Sequence, residues 1–407
     1  MPEAVIVATA RSPIGRAVKG SLKDVRPDDL AALVVRAALD KVPAFDAAEL
    51  DDLYLGCAEP HDEHSGNLAR RVAVQLGLDG VPAVTVNRFC ASSTQTARMA
   101  FHAIKAGEGS AFVSAGVECV SRYKAFGSAG VDPSSTQNAV FADAVARTAK
   151  TAETNETWRD PRLDGLVPDI YISMGQTAEN VATSRGASRA VQDEFGVRSQ
   201  NLAEAATKAG FFSREITPLT LPDGTVVSTD DGPRFGTTLE GVAGLKPVFR
   251  PDGTVTAGNC CPLNDGAAAV VIMSDSKARS LGLTPLARIV ATGVSALSPE
   301  IMGLGPVEAS RRVLALAGMS IGDIDLVEIN EAFAAQVVPS AEELGIPWDK
   351  LNVHGGAIAL GHPFGSTGAR IMTTLLNGLQ TRDETFGLET MCVGGGQGMA
   401  IILERLS

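Results

Sequence analysis

Val81-Pro-Ala-Val-Thr-Val-Asn-Arg-Phe-Cys-Ala-Ser-Ser-Thr-Gln-Thr-Ala-Arg-Met-Ala-Phe-His-Ala-Ile-Lys-Ala-Gly107 is the stretch on which the reading of this chain turns. Ala83 to Val86 is short, β-branched and preceded by proline, which predicts a strand. Ala97, Ala100, Phe101 and Ile104 then recur at helical spacing, and Gly107 supplies a stop. Cys90 therefore falls at a strand-to-helix turn, with Ser92, Ser93 and Thr94 as cap-type side chains. Unpaired N–H groups and the helix dipole favour a thiolate at such a turn, lowering the thiol pKa and making the sulfur a better nucleophile. A buried, unreactive cysteine near a helix start fits the same stretch.

Outward from Cys90, strands and helices keep alternating. Ala4 to Ala8 is a buried-strand run, and Arg11-Ser-Pro-Ile-Gly-Arg is a turn-rich loop. Leu30, Leu33, Val34 and Ala37 mark a helix over Pro27 to Val42. Leu50-Asp-Asp-Leu-Tyr-Leu-Gly-Cys57 is a second strand, followed by a polar loop with His61 and His64. Asn67 to Leu76 reads as a helix, and Ala111 to Cys119 returns as a strand. This alternation implies an α/β fold with a mostly parallel sheet covered on both faces.

Length and composition agree with that class. The 407 residues exceed one ordinary core and predict two or three domains or a duplicated one. Hydrophobic residues make up 45% and charged residues 20%, enough to bury a large core, and 42 glycines predict many tight turns. The net charge of −12 argues against nucleic acid binding through the overall field, while leaving room for a local basic site for an anionic ligand. No apolar run approaches a membrane span, and Ala4-Val-Ile-Val-Ala follows the start with no basic leader. The final Arg-Leu-Ser differs from a Ser-Lys-Leu address, so a cytoplasmic location is expected. Six cysteines without C-x-x-C spacing and five histidines without an H-x-x-x-H pair predict neither a metal site nor a disulfide framework.

From Tyr123 to about Asp169 the alternation stops and the sequence turns polar, which predicts an inserted, loop-rich region. The insert continues through helices over Met174 to Arg185 and Ala187 to Ala209, and a hairpin-like piece from Thr217 to Val227. Regular patterning resumes at Thr254-Val-Thr-Ala-Gly-Asn and Gly266 to Met273. The last third then repeats the first. Glu308 to Leu316 answers Ala31 to Leu39, and Ile324 to Asn330 answers the Leu50 strand. Leu351-Asn-Val-His and its glycine-rich turn answer the Cys90 unit, and Thr390-Met-Cys-Val-Gly-Gly-Gly answers Ala111 to Gly116. Two copies of one α/β unit are expected: residues 1–122 plus 250–284, interrupted by an insert over 123–249, and residues 285–407. Duplication brings equivalent turns to one central interface, where a pocket can form.

Four turns line up as candidate chemistry: Cys90, Asn330-Glu-Ala-Phe-Ala, the run from Asn352 through Gly-His362-Pro to Arg370, and Cys392-Val-Gly-Gly-Gly-Gln-Gly. In order, and with Asn87-Arg-Phe-Cys, Thr256-Ala-Gly-Asn and Asn264-Asp-Gly-Ala-Ala-Ala, these stretches resemble the signatures of the thiolase family, the acyl-CoA:acetyl-CoA C-acyltransferases. The resemblance covers essentially the whole chain. It implies two βαβαβαββ halves in a five-layered αβαβα core, with an inserted loop domain covering coenzyme A.

The resemblance also implies roles. Cys90 is the nucleophile that attacks the keto carbon and carries the acyl group, and His362 removes its proton. Cys392 is the acid/base that protonates the departing carbon or deprotonates it in the synthetic direction. One oxyanion hole uses His362 and a water held by Asn330, the other the N–H groups of Cys90 and Gly394. Arg234 falls where the family meets the nucleotide of coenzyme A, and Met174, Phe249, Ala257, Ala332 and Phe333 fall where it lines the pantetheine and acyl pocket. Cys261 stands where a serine commonly contacts pantetheine, and His354 where a polar residue commonly lies near the site. Coenzyme A is the implied co-substrate, with no tightly bound cofactor, and a homodimer or homotetramer is the implied assembly.

Ile172-Ser-Met-Gly has Ser173 in place of the histidine typical of acetoacetyl-CoA-forming enzymes, which points to a degradative 3-ketoacyl-CoA thiolase. A biosynthetic acetoacetyl-CoA thiolase is the alternative. A ketosynthase would carry histidine where Cys392 stands, a hydroxymethylglutaryl-type synthase would lack the Cys-Val-Gly-Gly-Gly turn, and a non-catalytic acyl-CoA- or lipid-binding relative would not need Cys90, His362, Asn330 and Cys392 intact.

Overall fold

The structure, a computed structural model, describes residues 2–123 and 137–407. The first part runs β1 (Ala4–Arg11), β2 (Gly15–Arg16), α1 (Pro27–Leu39), β3 (Asp52–Gly56), α2 (Leu68–Gln75), β4 (Ala83–Val86), α3 (Ser92–Ala106) and β5 (Ala111–Cys119). α1 begins on a proline followed by Asp28 and Asp29, ends near Arg36, and buries Leu30, Val34 and Ala38 on one stripe, so its ends suit the dipole and its face suits a sheet. α3 stops at Gly107, whose φ of 79° lies in the left-handed region open to glycine.

The middle holds α4 (Ala142–Thr154), α5 (Met174–Arg185), α6 (Arg189–Lys208), a small hairpin of β6 (Leu219–Thr220) and β7 (Val226–Val227), and α7 (Leu239–Ala243). The rest is β8 (Asn264–Ser274), α8 (Asp275–Ser280), β9 (Ala287–Ala296), α9 (Gly305–Ala317), β10 (Leu326–Ile329), α10 (Ala334–Leu344), α11 (Ala357–Leu360), α12 (Thr367–Arg382), β11 (Phe386–Val393) and β12 (Gln397–Arg405).

The strands join in the order β10-β11-β12-β9-β1-β8-β5-β3-β4, with β2 beside β8. This path is one motif written twice. β4-β3-β5-β8-β1 is matched by β10-β11-β12-β9, and the strand missing from the second set survives as a single parallel bridge between Val327 and Leu351. The two sets meet only at Val5–Arg288 and Ile6–Ala287.

The sheet is mixed rather than mostly parallel. Only β3–β4, β3–β5 and β10–β11 run parallel, because β8 and β12 each return antiparallel beside the strand that precedes them in their motif.

Alternation along the strands separates the layers. In β8, Ala267, Ala269, Val271 and Met273 face a core with Leu30, Val34 and Val35 of α1 and Val72 of α2. Ala268, Val270 and Ile272 face the opposite core, shared with Ala97, Ala100 and Ile104 of α3 and Met372, Leu375 and Leu379 of α12. Ile401 and Leu403 of β12 close that core from the other side, while Ala400 and Ile402 pack with Val313 of α9 and Val337 of α10. Helices, sheet, paired central helices, sheet and helices thus make the five layers.

One expectation needs correction in the insert. Part of the stretch from Tyr123 to Asp169 lies outside the described residues, but α4 occupies Ala142–Thr154 within what was expected to be loop-rich. Ala144 is its one buried residue, so no apolar stripe announced it. After the insert, Thr254 to Asn259 is a turn held by Glu179, which accepts the N–H groups of Thr254 and Val255.

Candidate active site

Cys90 lies in the 3-10 turn Phe89–Ala91 between β4 and α3. Phe89 just before it has φ 44°, an unfavourable region for an aromatic residue, and its N–H is held by Asn87 Oδ1 at 2.8 Å. The expected caps are absent. Ser92 Oγ accepts from Arg88 N–H and donates to Phe89 O, Ser93 Oγ accepts from Ala369 N–H, and Thr94 Oγ1 donates to Glu389. These side chains sit inside the first turn of α3 and tie the nucleophile turn to α12 and β11 instead of capping the helix.

The Cys90 sulfur accepts the N–H of Gly394, from the turn after β11. Burial nevertheless pushes the thiol up to about 12, with that N–H and Cys90's own N–H opposing it. The expected lowering at the helix start is outweighed because desolvation of a thiolate exceeds what two peptide dipoles return. The resting group is a thiol.

His362 is 1% exposed and follows α11 through Gly361, whose φ is 111°. Its N–H is held by Asn264 Oδ1 at 3.0 Å, and its Nδ1 lies 2.7 Å from Thr367 Oγ1. Thr367 spends its one hydroxyl proton on Pro363 O at 3.0 Å, so Oγ1 accepts from Nδ1–H and the tautomer follows. Nε2 then carries the lone pair and faces Asn330 Nδ2 at 3.2 Å. Burial, with a smaller contribution from Arg370, pushes the imidazole down to about 3, so the ring is a neutral base. Asn330 Oδ1 is buried without a partner.

Cys392, near the end of β11, is buried among Met302, Ala332 and Phe333, with Met174, Phe249 and Cys261 packed against that group. Burial, then the neighbouring Cys90, pushes its thiol up. Phe249 and Phe333 meet edge to face at 6.1 Å, and Cys261 N–H donates to Ala332 O at 3.0 Å. A cavity of about 260 Å³ opens on Cys90 and Gly394, with Phe89, Ile170, Met174 and Phe364 on its walls.

Cys90, Cys392 and Gly394 therefore meet, and Asn330 meets His362, whose neighbour Phe364 lines the same cavity as Cys90, although these residues come from distant parts of the chain. Arg234 is exposed and makes no ion pair among the described residues; its Nη1 reaches Ala257 O at 3.5 Å. From there Cys260 and Cys261 lead inward to Cys90 and Cys392. His354 is not brought to this group. Its ring stacks on Phe211 at 3.8 Å, against α12, because the bulk of Phe211 claims it on the far side of the turn.

Two buried glutamates position these turns. Glu118, fully buried at the end of β5, accepts the N–H groups of Ala58 (2.8 Å), Glu59 (3.3 Å) and Gly365 (2.8 Å) and the hydroxyl of Tyr123 (2.6 Å). It thereby clamps the loop after β3 to the turn that carries His362. Glu331 does the same for Asn330's side, accepting from Ser199, Asn352 and the N–H of Ile358. Glu331 stands beside Asn330 in one of the four candidate turns and Glu118 between Val117 and Cys119 in β5, but only their partners reveal what either does. Among the described residues, no group of three or more His, Cys, Asp or Glu side chains is placed to hold a metal ion, and no helix is long and apolar enough to cross a membrane.

Comparison with known proteins bears on the whole chain. Residues 4–276 match the family model described as thiolase, N-terminal domain, and residues 283–405 that described as thiolase, C-terminal domain. A 3-ketoacyl-CoA thiolase of Bacillus subtilis (strain 168) is 41% identical over 99% of this chain and all of its own length. A 3-oxoadipyl-CoA/3-oxo-5,6-dehydrosuberyl-CoA thiolase of Escherichia coli (strain K12) is 43% identical over the full length of both. The crystal structure of the Bacillus anthracis acetyl-CoA acetyltransferase superposes with a TM-score of 0.87 at 38% identity, covering 100% of this chain and 99% of that one.

Proposed function

This chain belongs to the thiolase family of acyltransferases, and on that premise we propose that it cleaves 3-ketoacyl-CoA with coenzyme A through an acyl group carried on Cys90. The observation that carries the reading is the Gly394 N–H on the Cys90 sulfur, which holds Cys392, two residues earlier, beside the nucleophile.

His362 Nε2 takes the Cys90 proton as the sulfur attacks the keto carbon. The imidazolium so formed presents an N–H where none existed, beside the unpartnered Asn330 Oδ1, which supports an oxyanion site completed by a water. When the carbon–carbon bond breaks, its electron pair goes to the departing acetyl-CoA, which takes the Cys392 proton. Coenzyme A then gives its thiol proton to the Cys392 thiolate and attacks the acyl-Cys90 carbonyl. Cys90 leaves as a thiolate and recovers its proton from His362.

The walls of Phe89, Ile170, Met174 and Phe364 suit an acyl chain, and Arg234, lacking a carboxylate partner, suits the phosphates of coenzyme A at the outer end of the Ala257–Cys261 loop. Ser173, at the start of α5, forms no cap there and offers no imidazole for a short-chain synthetic enzyme. We therefore read the direction as degradative, with residues 123–249 as the coenzyme-covering insert between two halves, a cytoplasmic location, and a homodimer or homotetramer as the assembly. The alternative, an acetoacetyl-CoA thiolase, keeps the same machinery.

Mass spectrometry after incubation with a 3-ketoacyl-CoA and no free coenzyme A should place the adduct on the Cys90 peptide. An adduct on Cys392 or Cys119 would overturn the assignment. In thiolysis, kcat/KM should rise from acetoacetyl-CoA to longer substrates, since each buried methylene adds about 0.8 kcal/mol. A steady fall from four carbons upward would leave the acetoacetyl-CoA alternative.

A further inference from the structure

Among the described residues the acyl cavity carries one charged side chain, and the proposed reaction gives it no task. Glu59 shares the wall with Phe89, Ile170, Met174 and Phe364 around Cys90. Its main chain is fixed on both sides: the N–H is held by Glu118 at 3.3 Å, and the carbonyl accepts from His61 N–H at 2.8 Å. The carboxylate itself forms no hydrogen bond or ion pair with any described residue. The His61 ring, two residues on, is engaged with Asp62 at 2.9 Å. Burial pushes the Glu59 carboxyl above its ordinary range, and its charge is felt at Cys90. A half-buried carboxylate in an apolar wall, without a partner among the described residues, is only partly solvated and keeps its repulsion for a second anion.

We propose, on the thiolytic reading above, that Glu59 sets acyl specificity by rejecting 3-ketoacyl chains that end in a carboxylate while admitting neutral chains of the same length. A small cavity of low dielectric cannot hold two like charges cheaply, whereas a neutral chain meets only apolar wall. Discrimination of this kind rests on a repulsive element in the site as much as on attraction to the preferred ligand. The relatives make the choice concrete, because one of them is named for 3-oxoadipyl-CoA, whose acyl chain ends in a carboxylate.

The test is kcat/KM for thiolysis of 3-oxohexanoyl-CoA and 3-oxoadipyl-CoA by the full-length chain, Glu59→Gln and Glu59→Lys. The unaltered protein should favour the neutral substrate by roughly 10- to 100-fold. Glu59→Gln should narrow that ratio through a rise in kcat/KM for the charged substrate, and Glu59→Lys should reverse it. Equal use of both substrates by the unaltered protein, or a ratio that Glu59→Gln leaves in place, overturns the proposal. Loss of both activities in Glu59→Gln also overturns it, since the side chain would then serve folding or chemistry and not selection. If the unaltered protein forms acyl-Cys90 from neither substrate by mass spectrometry, the thiolytic reading itself falls and takes this one with it.

Discussion

At Cys90, burial and reactivity pull in opposite directions. The thiol is pushed up to about 12 and the His362 imidazole down to about 3, so both groups rest neutral. In the proposed reaction, proton transfer is therefore tied to attack, when charge moves onto the substrate oxygen. Cys392 is separable from this pair, because no carbanion forms when a simple acyl-CoA acylates Cys90. Cys392→Ala should lose about 10²–10⁴-fold in carbon–carbon cleavage, the scale of one general acid/base, and still become acylated by a simple acyl-CoA. Equal loss of both half-reactions, read by stopped assay and mass spectrometry, would make Cys392 structural.

At the scale of elements, the sequence marked most helices and strands to within a few residues, because burial on one face writes a period into them. α5 matches the expected bounds, and α3 and α6 differ by little. α4 went unmarked because the face it turns inward, with Ala144 buried and Arg147, Thr148 and Thr151 half-buried, is mostly polar. The loops between elements depend on partners that no local pattern shows, and Glu118 is the sharpest case. Glu118→Gln keeps the shape but turns an amide donor toward N–H groups of Ala58 or Gly365, leaving at least one buried donor unsatisfied at about 1–3 kcal/mol. We expect kcat to fall about tenfold at 25 °C, since the His362 turn loosens, with the KM for coenzyme A unchanged. Unchanged kcat alongside a lowered melting temperature would show that the clamp serves stability alone.

For the whole molecule, the central core belongs to neither half. Met372, Leu375 and Leu379 of α12 pack with Ala97, Ala100 and Ile104 of α3 between strands of both sets. Residues 285–407 expressed alone should lack a cooperative melt and bind a hydrophobic dye, because one face of their sheet and helix would meet water. Co-expression with residues 1–284 should restore the cooperative transition. A cooperative melt of 285–407 by itself would show that the shared core is dispensable.

The sequence alone determined the α/β class and the repeat of its two halves, and it pointed to Cys90, Asn330, His362 and Cys392 as candidate chemical groups through their resemblance to the family's motifs. Periodicity follows from burial, and catalytic residue types in ordered motifs are few. Only the tertiary structure decided the antiparallel return of β8 and β12, the loss of one strand to the Val327–Leu351 bridge, and the placing of His354 against Phe211. It also decided the protonation of the site. A strand-to-helix turn favours a thiolate wherever it lies in the chain, but the desolvation that outweighs it arises only when distant turns pack around Cys90.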